Sequence, residues 1–170
     1  MKRYLLIVYI LLLTGTLWAA PASVSITLTT SVPGYLYHGF LDSSNQTSFV
    51  ATSPTVNDAF NPAGAVLNYA IKTNVRLPLT VKATIAPFEE QDVVDPATVP
   101  ITQVDVGSDS DPTTHITNID GKYNLLQLTP QSGIIFYAYT LTVFADQNSV
   151  QNSPAGNYVS TVEIDIATDS

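Results

Sequence analysis

The chain has 170 residues, no cysteine and a formal net charge of −8, and only 12% of its residues are charged. An acidic chain lacks the clustered Lys and Arg that binding to nucleic acid or to an anionic membrane surface requires. The absence of Cys excludes thiol catalysis and thiolate metal sites.

The first 22 residues have the pattern of a secretory signal peptide. Lys2 and Arg3 give a positive start, residues 5–17 form an apolar run, and small residues precede a cleavage site that we place after Ala22. The run is shorter than the ~18 apolar residues that a membrane span needs. We therefore expect a secreted mature chain of 148 residues, without a membrane span, in which 14 acidic and four basic residues leave a net charge of −10.

Residues 23–33 form the first strand-like segment of the mature chain. Every second residue is apolar or small and the residues between them are Ser and Thr, which is the period of a strand with one apolar face. Pro33 and Gly34 end the segment. The apolar face comprises Val24, Ile26, Leu28, Thr30 and Val32. A strand this apolar has to be buried, either in its own domain or in another molecule.

The rest of the chain alternates short strand patterns with turn signals and lacks convincing helical periodicity. Leu79 to Ile85 alternates cleanly, Val99 to Val106 alternates with a slip that we interpret as a bulge, and Ile134 to Ala145 is apolar enough to lie at the centre of a sheet. Residues 87–100 are expected to form a long acidic connection before this second strand. The other predicted strands are Tyr35 to Leu41, Thr47 to Ala51, Val66 to Ile71, Tyr123 to Leu128 and Asn157 to Thr168. This pattern predicts a single all-β domain, an antiparallel β-sandwich.

The terminal segment is predicted to be one strand with two distinct faces. Tyr158, Val162, Ile164 and Ile166 share the apolar face, and polar residues share the other. No further strand pattern follows this segment, so we expect the edge of this strand to be uncovered by the chain itself.

Four segments follow one another in the mature chain in a recognisable order. They are I-T-L-T-T-S-V-P at Ile26–Pro33, L-T-V-K-A-T-I-A-P at Leu79–Pro87, V-P-I-T-Q-V at Val99–Val104 and P-A-G-N-Y-V-S-T-V at Pro154–Val162. In this order, and without Cys, the chain resembles the colonisation-factor pilins, the alpha class of chaperone–usher fimbrial subunits. The likeness spans almost the whole mature chain but is unclear over residues 34–64.

The resemblance implies an immunoglobulin-like sandwich that lacks its last strand and is completed by a donated N-terminal strand. It implies that residues 23–33 are the donor strand and that residues 34–170 form the sandwich. The acceptor groove would lie along Tyr158, Val162, Ile164 and Ile166. The implied partners are neighbouring copies of the chain, a periplasmic chaperone and an outer-membrane usher, and the implied location is a surface fimbria reached through the periplasm.

A second interpretation remains open on the sequence alone. The chain could be a self-complete secreted or periplasmic β-sandwich that binds a protein or a glycan. Residues 24–32 would then be the first strand of the same domain, and the mature chain would be a soluble monomer.

Few residues could carry catalysis or bind a metal. The acidic turn from Asp105 to Asp111 could offer calcium ligands at Asp109 and Asp111, but it lacks the helix–loop–helix pattern, and we prefer a solvated turn. The two histidines, His38 and His115, have no triad context and form no complete metal site. We therefore expect a protein that is not an enzyme and that needs no cofactor or metal.

Overall fold

The computed structural model describes residues 27, 29–42, 45–51, 54–108 and 113–168. The chain divides into two units, Met1–Val32 and Pro33–Ser170. In the first unit, residues 27 and 29–32 lie outside helices and strands and are exposed. The second unit holds all of the strands that the structure describes.

The described part of the second unit contains thirteen strands and one short helix. The strands are β1 (Leu36–Asp42), β2 (Asn45–Phe49), β3 (Ala65–Thr73), β4 (Leu79–Ile85), β5 (Phe88–Glu90), β6 (Thr98–Val99), β7 (Ile101–Gly107), β8 (Thr114–Ile116), β9 (Asn118–Ile119), β10 (Lys122–Leu128), β11 (Ile135–Ala145), β12 (Tyr158–Val159) and β13 (Val162–Thr168), and α1 (Gln147–Asn152) lies between β11 and β12.

These strands form three antiparallel sheets. The strand order is β2-β1-β3-β11-β7-β8 in the largest sheet, β13-β4-β10-β9 in the second and β12-β5-β6 in the third. β11 pairs with β3 on one side and with β7 on the other, which confirms the central position predicted for this apolar run. With eleven residues, β11 extends over about 36 Å, so it can pair with β3 along one part of its length and with β7 along another.

The two larger sheets pack face to face around one core. The alternation in β4 places Leu79, Val81 and Ala83 inside, each at most 1% exposed, while Lys82 points outward. From the other sheet, β3, β7 and β11 supply the facing layer of the same cluster. Each such aliphatic side chain stabilises the fold by about 1.5–3 kcal/mol. The predicted all-β antiparallel sandwich is confirmed.

A second, smaller apolar cluster lies where β11 ends. Ala145, Phe88 and Val99 are its buried members. The ring of Phe60 packs on this cluster with its centroid 5.0 Å from that of Phe88. This cluster packs the three-stranded sheet against the end of β11. The predicted acidic connection at residues 87–100 therefore contains two short strands, β5 and β6.

The helix α1 is an element that the sequence pattern does not predict. Its N-terminus is capped by Asp146, whose carboxylate accepts hydrogen bonds from the Asn148 backbone N–H at 3.2 Å and from the Ser149 hydroxyl at 2.7 Å. None of its six described residues is buried. A helix without a buried face has no apolar period, so only the cap residue could have indicated it.

Two details of strand pairing bear on the predictions. Phe144 faces Gln103 and Ala145 faces Ile101, so one residue of β7 is left over, and the predicted bulge is confirmed. The single strand predicted for residues 157–168 is wrong. β12 and β13 belong to different sheets, and the chain crosses between them where the Ser160 hydroxyl donates to the Ala86 carbonyl at 2.6 Å.

Candidate functional site

The inner face of β1 is exposed although the adjoining inner face of β3 is buried. Leu36 and His38 lie opposite Thr73 and Ile71 of β3. Thr73 and Ile71 are 0% exposed, whereas Leu36 is 37% exposed and His38 is also exposed. Phe40 continues this row and is half-buried. The second sheet therefore does not cover β1.

The inner face of β13 shows the same mismatch. Ile164 and Ile166 lie opposite Ala83 and Val81 of β4, which are 1% and 0% exposed. Ile164 and Ile166 themselves are only half-buried, as is Val162 at the start of the strand. The outward residues between them are acidic and exposed, so the alternation predicted for this strand is confirmed from Val162 onward.

Within the part of the chain that the structure describes, both strands also have a hydrogen-bonding edge without a strand neighbour. Among the strands that the structure describes, β4 is the only neighbour of β13. β1 pairs with β2 only at Leu41 and Asp42, so in the described chain residues 36–39 have β3 alone as a strand neighbour. A sheet edge of this kind offers unpaired N–H and C=O groups to an added strand.

A cavity of about 360 Å³ opens at one end of these two strands. Phe40 lines it from β1 and Val162 lines it from β13, while Leu67 of β3 and Val143 of β11 contribute from the same sheet as Phe40. The cavity therefore joins the end of β1 to the start of β13, and most of the side chains that line it are apolar. The inner rows of β1 and β13 continue from this cavity and form a groove with it. We call this the β1–β13 groove.

One polar pair joins the inner rows of β1 and β3 beside the β1–β13 groove. The Nδ1 atom of His38 is 3.1 Å from the hydroxyl oxygen of Tyr69, which is 2% exposed. Burial raises the pKa of Tyr69 above its ordinary value. Partial burial lowers the pKa of His38, and the negative charge of Asp165 opposes this shift. The neutral imidazole therefore satisfies a phenol that would otherwise be buried without a partner.

The predicted acceptor residues meet at this groove, but not all in one strand. Val162, Ile164 and Ile166 form one row of β13. Tyr158 lines the cavity from β12 instead, with its ring 5.5 Å from that of Phe60 and its hydroxyl donating to the Pro154 carbonyl at 3.0 Å. β1 supplies the opposite wall of the groove, and no pattern in its residues predicts this role.

Only part of the predicted donor face can be described. Thr30 and Val32 lie outside strands and are exposed, Val32 at 82%. Val24, Ile26 and Leu28 lie outside the described residues, as does the predicted signal peptide.

The acidic turn has an ordinary hydrogen-bonded environment where it can be described. Both carboxylate oxygens of Asp105 accept from the Gln103 amide, at 2.9 and 3.0 Å, and the His115 ring nitrogen lies 3.1 Å from Asp105. Asp109 and Asp111 lie outside the described residues. In the part of the chain that the structure covers, no three His, Asp or Glu side chains gather as a metal site would require.

Among the described helices, none has the length and apolar character to cross a membrane. Neither a scan against protein-family models nor a search of curated proteins finds a match for this chain. The β1–β13 groove is therefore the feature from which a function has to be inferred.

Proposed function

We propose that the chain is a structural subunit of a bacterial surface fimbria that polymerises by donor-strand complementation and supports adhesion. In this proposal the sandwich is immunoglobulin-like and incomplete, and residues 24–32 of one copy fill the β1–β13 groove of the next. The observation that carries the proposal is the pair of incompletely buried inner rows that flank the groove beside two uncovered strand edges.

The dimensions of the groove support a strand as its occupant. The seven residues of β13 extend over about 23 Å, and nine donor residues extend over about 30 Å, so the donor is long enough to cover the whole wall. The alternating apolar face of the donor would enter the groove while its Ser and Thr face the solvent.

The chemistry of the groove supports an apolar segment rather than a polar ligand. Its walls carry aliphatic and aromatic side chains, and the His38–Tyr69 pair already satisfies itself. Burying each apolar donor side chain would contribute about 1.5–3 kcal/mol, and the same insertion would remove Ile164 and Ile166 from water. The proposed role is structural, without catalysis, metal or cofactor.

The proposed partners follow from the exposed apolar side chains and strand edges of the β1–β13 groove. An apolar groove with uncovered edges would promote aggregation before assembly. We therefore propose a periplasmic chaperone that covers the groove and an outer-membrane usher that exchanges it for the next subunit. Secretion through the periplasm to the cell surface is part of the same proposal.

Substitution of two adjacent donor residues tests the proposal. Ile26→Asp should abolish assembly, because a carboxylate in an apolar groove costs several kcal/mol. Thr27→Asp should largely preserve assembly, because the neighbouring side chain points to the opposite face. Each variant is co-expressed with its secretion partners, and high-molecular-weight ladders are scored on unheated gels.

The two variants also separate the competing interpretation. If both variants assemble normally, residues 24–32 are not a donor strand and the proposal fails. If both variants fail, the segment is buried on two faces, and a self-complete sandwich with its own first strand explains the data better.

A further inference from the structure

An aromatic and basic row crosses the outer face of the six-stranded sheet. Lys72 of β3 lies directly between Tyr37 of β1 and Phe136 of β11 in the strand register. The ring of Phe49 lies between those of Tyr37 and Phe136, at 4.7 and 5.8 Å from them. Tyr37 and Phe136 are 48% and 38% exposed. We call these four residues the aromatic–lysine row.

The row combines the features of a contact surface for an acidic, apolar segment. Exposed aromatic rings supply large contact area at low entropic cost, and they are enriched at protein interfaces. Lys72 is one of only four basic residues after residue 22. In the described part of the chain no carboxylate lies within ion-pair distance of Lys72. The exposed parts of the Tyr37 and Phe136 rings and the Lys72 ammonium group therefore remain available to a partner.

A segment of matching chemistry lies between β5 and β6. Val94 is 96% exposed and Val93 is 47% exposed, and Asp92 and Asp95 flank them. Two adjacent exposed valines between two carboxylates form an apolar tip with acidic sides. We call Asp92, Val93, Val94 and Asp95 the valine tip.

The valine tip stands on a hydrogen-bonded base. The Glu90 backbone N–H donates to the Ala97 carbonyl at 2.9 Å, and the Gln91 N–H donates to the Asn157 carbonyl at 2.8 Å. The Ala97 N–H returns a hydrogen bond to the Glu90 carboxylate at 3.3 Å. Anchoring on both sides reduces the entropy that the tip would lose on binding.

The row and the tip lie near opposite ends of β11. Phe136 is near the start of β11, whereas Ala145 at its end packs in the cluster with Phe88 and Val99, which begin and end the strands that flank the tip. Phe136 and Ala145 are nine residue steps apart along the strand, about 30 Å. The tip cannot reach the row of its own chain, so any contact between them joins two copies.

We propose that the valine tip of one copy docks on the aromatic–lysine row of its neighbour in the fibre, with the valines against the rings and the carboxylates beside Lys72. This inference rests on the proposed function, which gives each copy a fixed neighbour. A contact between two different surfaces is heterologous and propagates along a filament. It would be a second contact between neighbours, in addition to the donated strand.

The path of the donated strand is compatible with this contact. Asn74 holds the point where the donor segment leaves the sandwich, because its amide donates to the Pro33 carbonyl at 3.1 Å and its side-chain oxygen accepts from the Tyr35 N–H at 2.6 Å. That point lies at the Tyr37 end of β1. The groove cavity, lined by Phe88, lies at the end that carries the tip. A strand that enters the next groove at its cavity end brings row and tip to the same junction.

Introduced cysteines test the contact without background, because the natural chain has none. Lys72→Cys and Val94→Cys are combined in one chain, fibres are assembled, and a short bismaleimide is added. The matched control combines Lys82→Cys with Val94→Cys, because Lys82 is an exposed lysine on the outer face of the other sheet. Unheated gels without the reagent report strand exchange, and heated gels with it report only covalent links.

We expect covalent ladders from the Lys72→Cys pair and none from the Lys82→Cys pair. If fibres form normally but the Lys72→Cys pair gives no covalent ladder, this inference is overturned and the proposed function stays intact. The row would then be free for another partner, such as a glycan. Equal ladders from both pairs would overturn this inference too, since they would show nonspecific proximity. Absence of ladders on unheated gels would remove the proposed function and this inference together.

Discussion

The Nδ1 atom of His38 lies 3.1 Å from the hydroxyl oxygen of Tyr69 and joins the inner row of β1 to that of β3, beside the β1–β13 groove. His38 projects from the inner row of β1, and Tyr69 belongs to the core that both sheets share. A titratable group at this position links the state of the groove to pH, because a charged imidazole is harder to bury than a neutral one.

We predict that the sandwich loses stability in mild acid through His38. Burial holds the pKa of His38 below its ordinary value of 6.5, so below pH 6.5 the unfolded chain binds more protons than the folded chain. The free energy of unfolding should therefore fall as the pH drops from 6.5 to the lowered pKa, with a slope of at most one proton per chain.

Urea titrations between pH 7.5 and 5 measure this effect. His38→Gln should remove the slope, whereas His115→Gln, at the other histidine of the chain, should retain it. If the His38→Gln variant keeps the pH dependence of the unfolding free energy seen in the wild type, another group is responsible for it.

We predict that truncating Ile164 weakens the assembled state more than the isolated subunit. Ile164 is half-buried in the described chain, and an inserted strand would bury it fully. Ile164→Ala should cost the isolated subunit less than the ~2–5 kcal/mol typical of a fully buried site, and it should approach that range in the fibre. Urea dissociation of fibres and urea unfolding of the subunit provide the two values, and equal losses would argue against burial by a donated strand.

We predict a large difference between two phenylalanines of the same sandwich. Phe88 is 6% exposed and packs against Phe60, whereas Phe136 is 38% exposed on the outer sheet face. Phe88→Ala should lower the free energy of unfolding by about 3–5 kcal/mol, and Phe136→Ala by less than half of that. Thermal and urea unfolding of the isolated subunit measure both. Similar losses would mean that the three-stranded sheet does not stabilise the fold.

We predict that Gly64 tolerates no side chain. Its φ is +85°, and an added Cβ would stand 2.5 Å from a Thr142 methyl and 2.9 Å from the Phe144 ring. Gly121 has a similar φ of +81° but no neighbour within 4 Å of its added Cβ. Gly121→Ala should therefore cost only the backbone strain, about 1 kcal/mol, and Gly64→Ala clearly more. Equal midpoints in urea would contradict the packing of the loop before β3.

The best-predicted strands are those whose pattern depends on burial alone. The clean alternation from Leu79 to Ile85 gave the bounds of β4, because one face lies in the core and the other in solvent. The central position of β11 followed from a run that is apolar on both faces. In both cases the local pattern and the tertiary environment agree.

The break before β13 could not be predicted from the residues around it. Tyr158 and Val162 have the even spacing of one strand face, and a two-residue crossing between sheets leaves that spacing unchanged. The crossing depends on distant partners, namely the Ala86 carbonyl and N–H, which bond with Ser160 and Thr161. No local pattern encodes such pairing.

One wall of the candidate groove, the wall that β1 forms, could not be predicted from the sequence either. The β13 row could be read from its alternation, but β1 carries aromatic residues on both faces, at Tyr37 and at Phe40. Which face is inner is set by the register with β3, where His38 meets Ile71. Residue identities in β1 alone therefore do not show that it is a wall.

Hydrogen exchange along β13 tests the central claim most directly. Every second amide of β13 points away from β4, its only neighbour among the described strands. Wild-type fibres are compared with monomer that carries Ile26→Asp, and residues 140–143 of β11, which are paired on both sides, are the internal control. We predict that Val162–Thr168 amides are strongly protected in fibres and weakly protected in monomer, while these residues of β11 are protected in both. Equally strong protection of β13 in the monomer would contradict the account, because the groove would then be closed without a second copy.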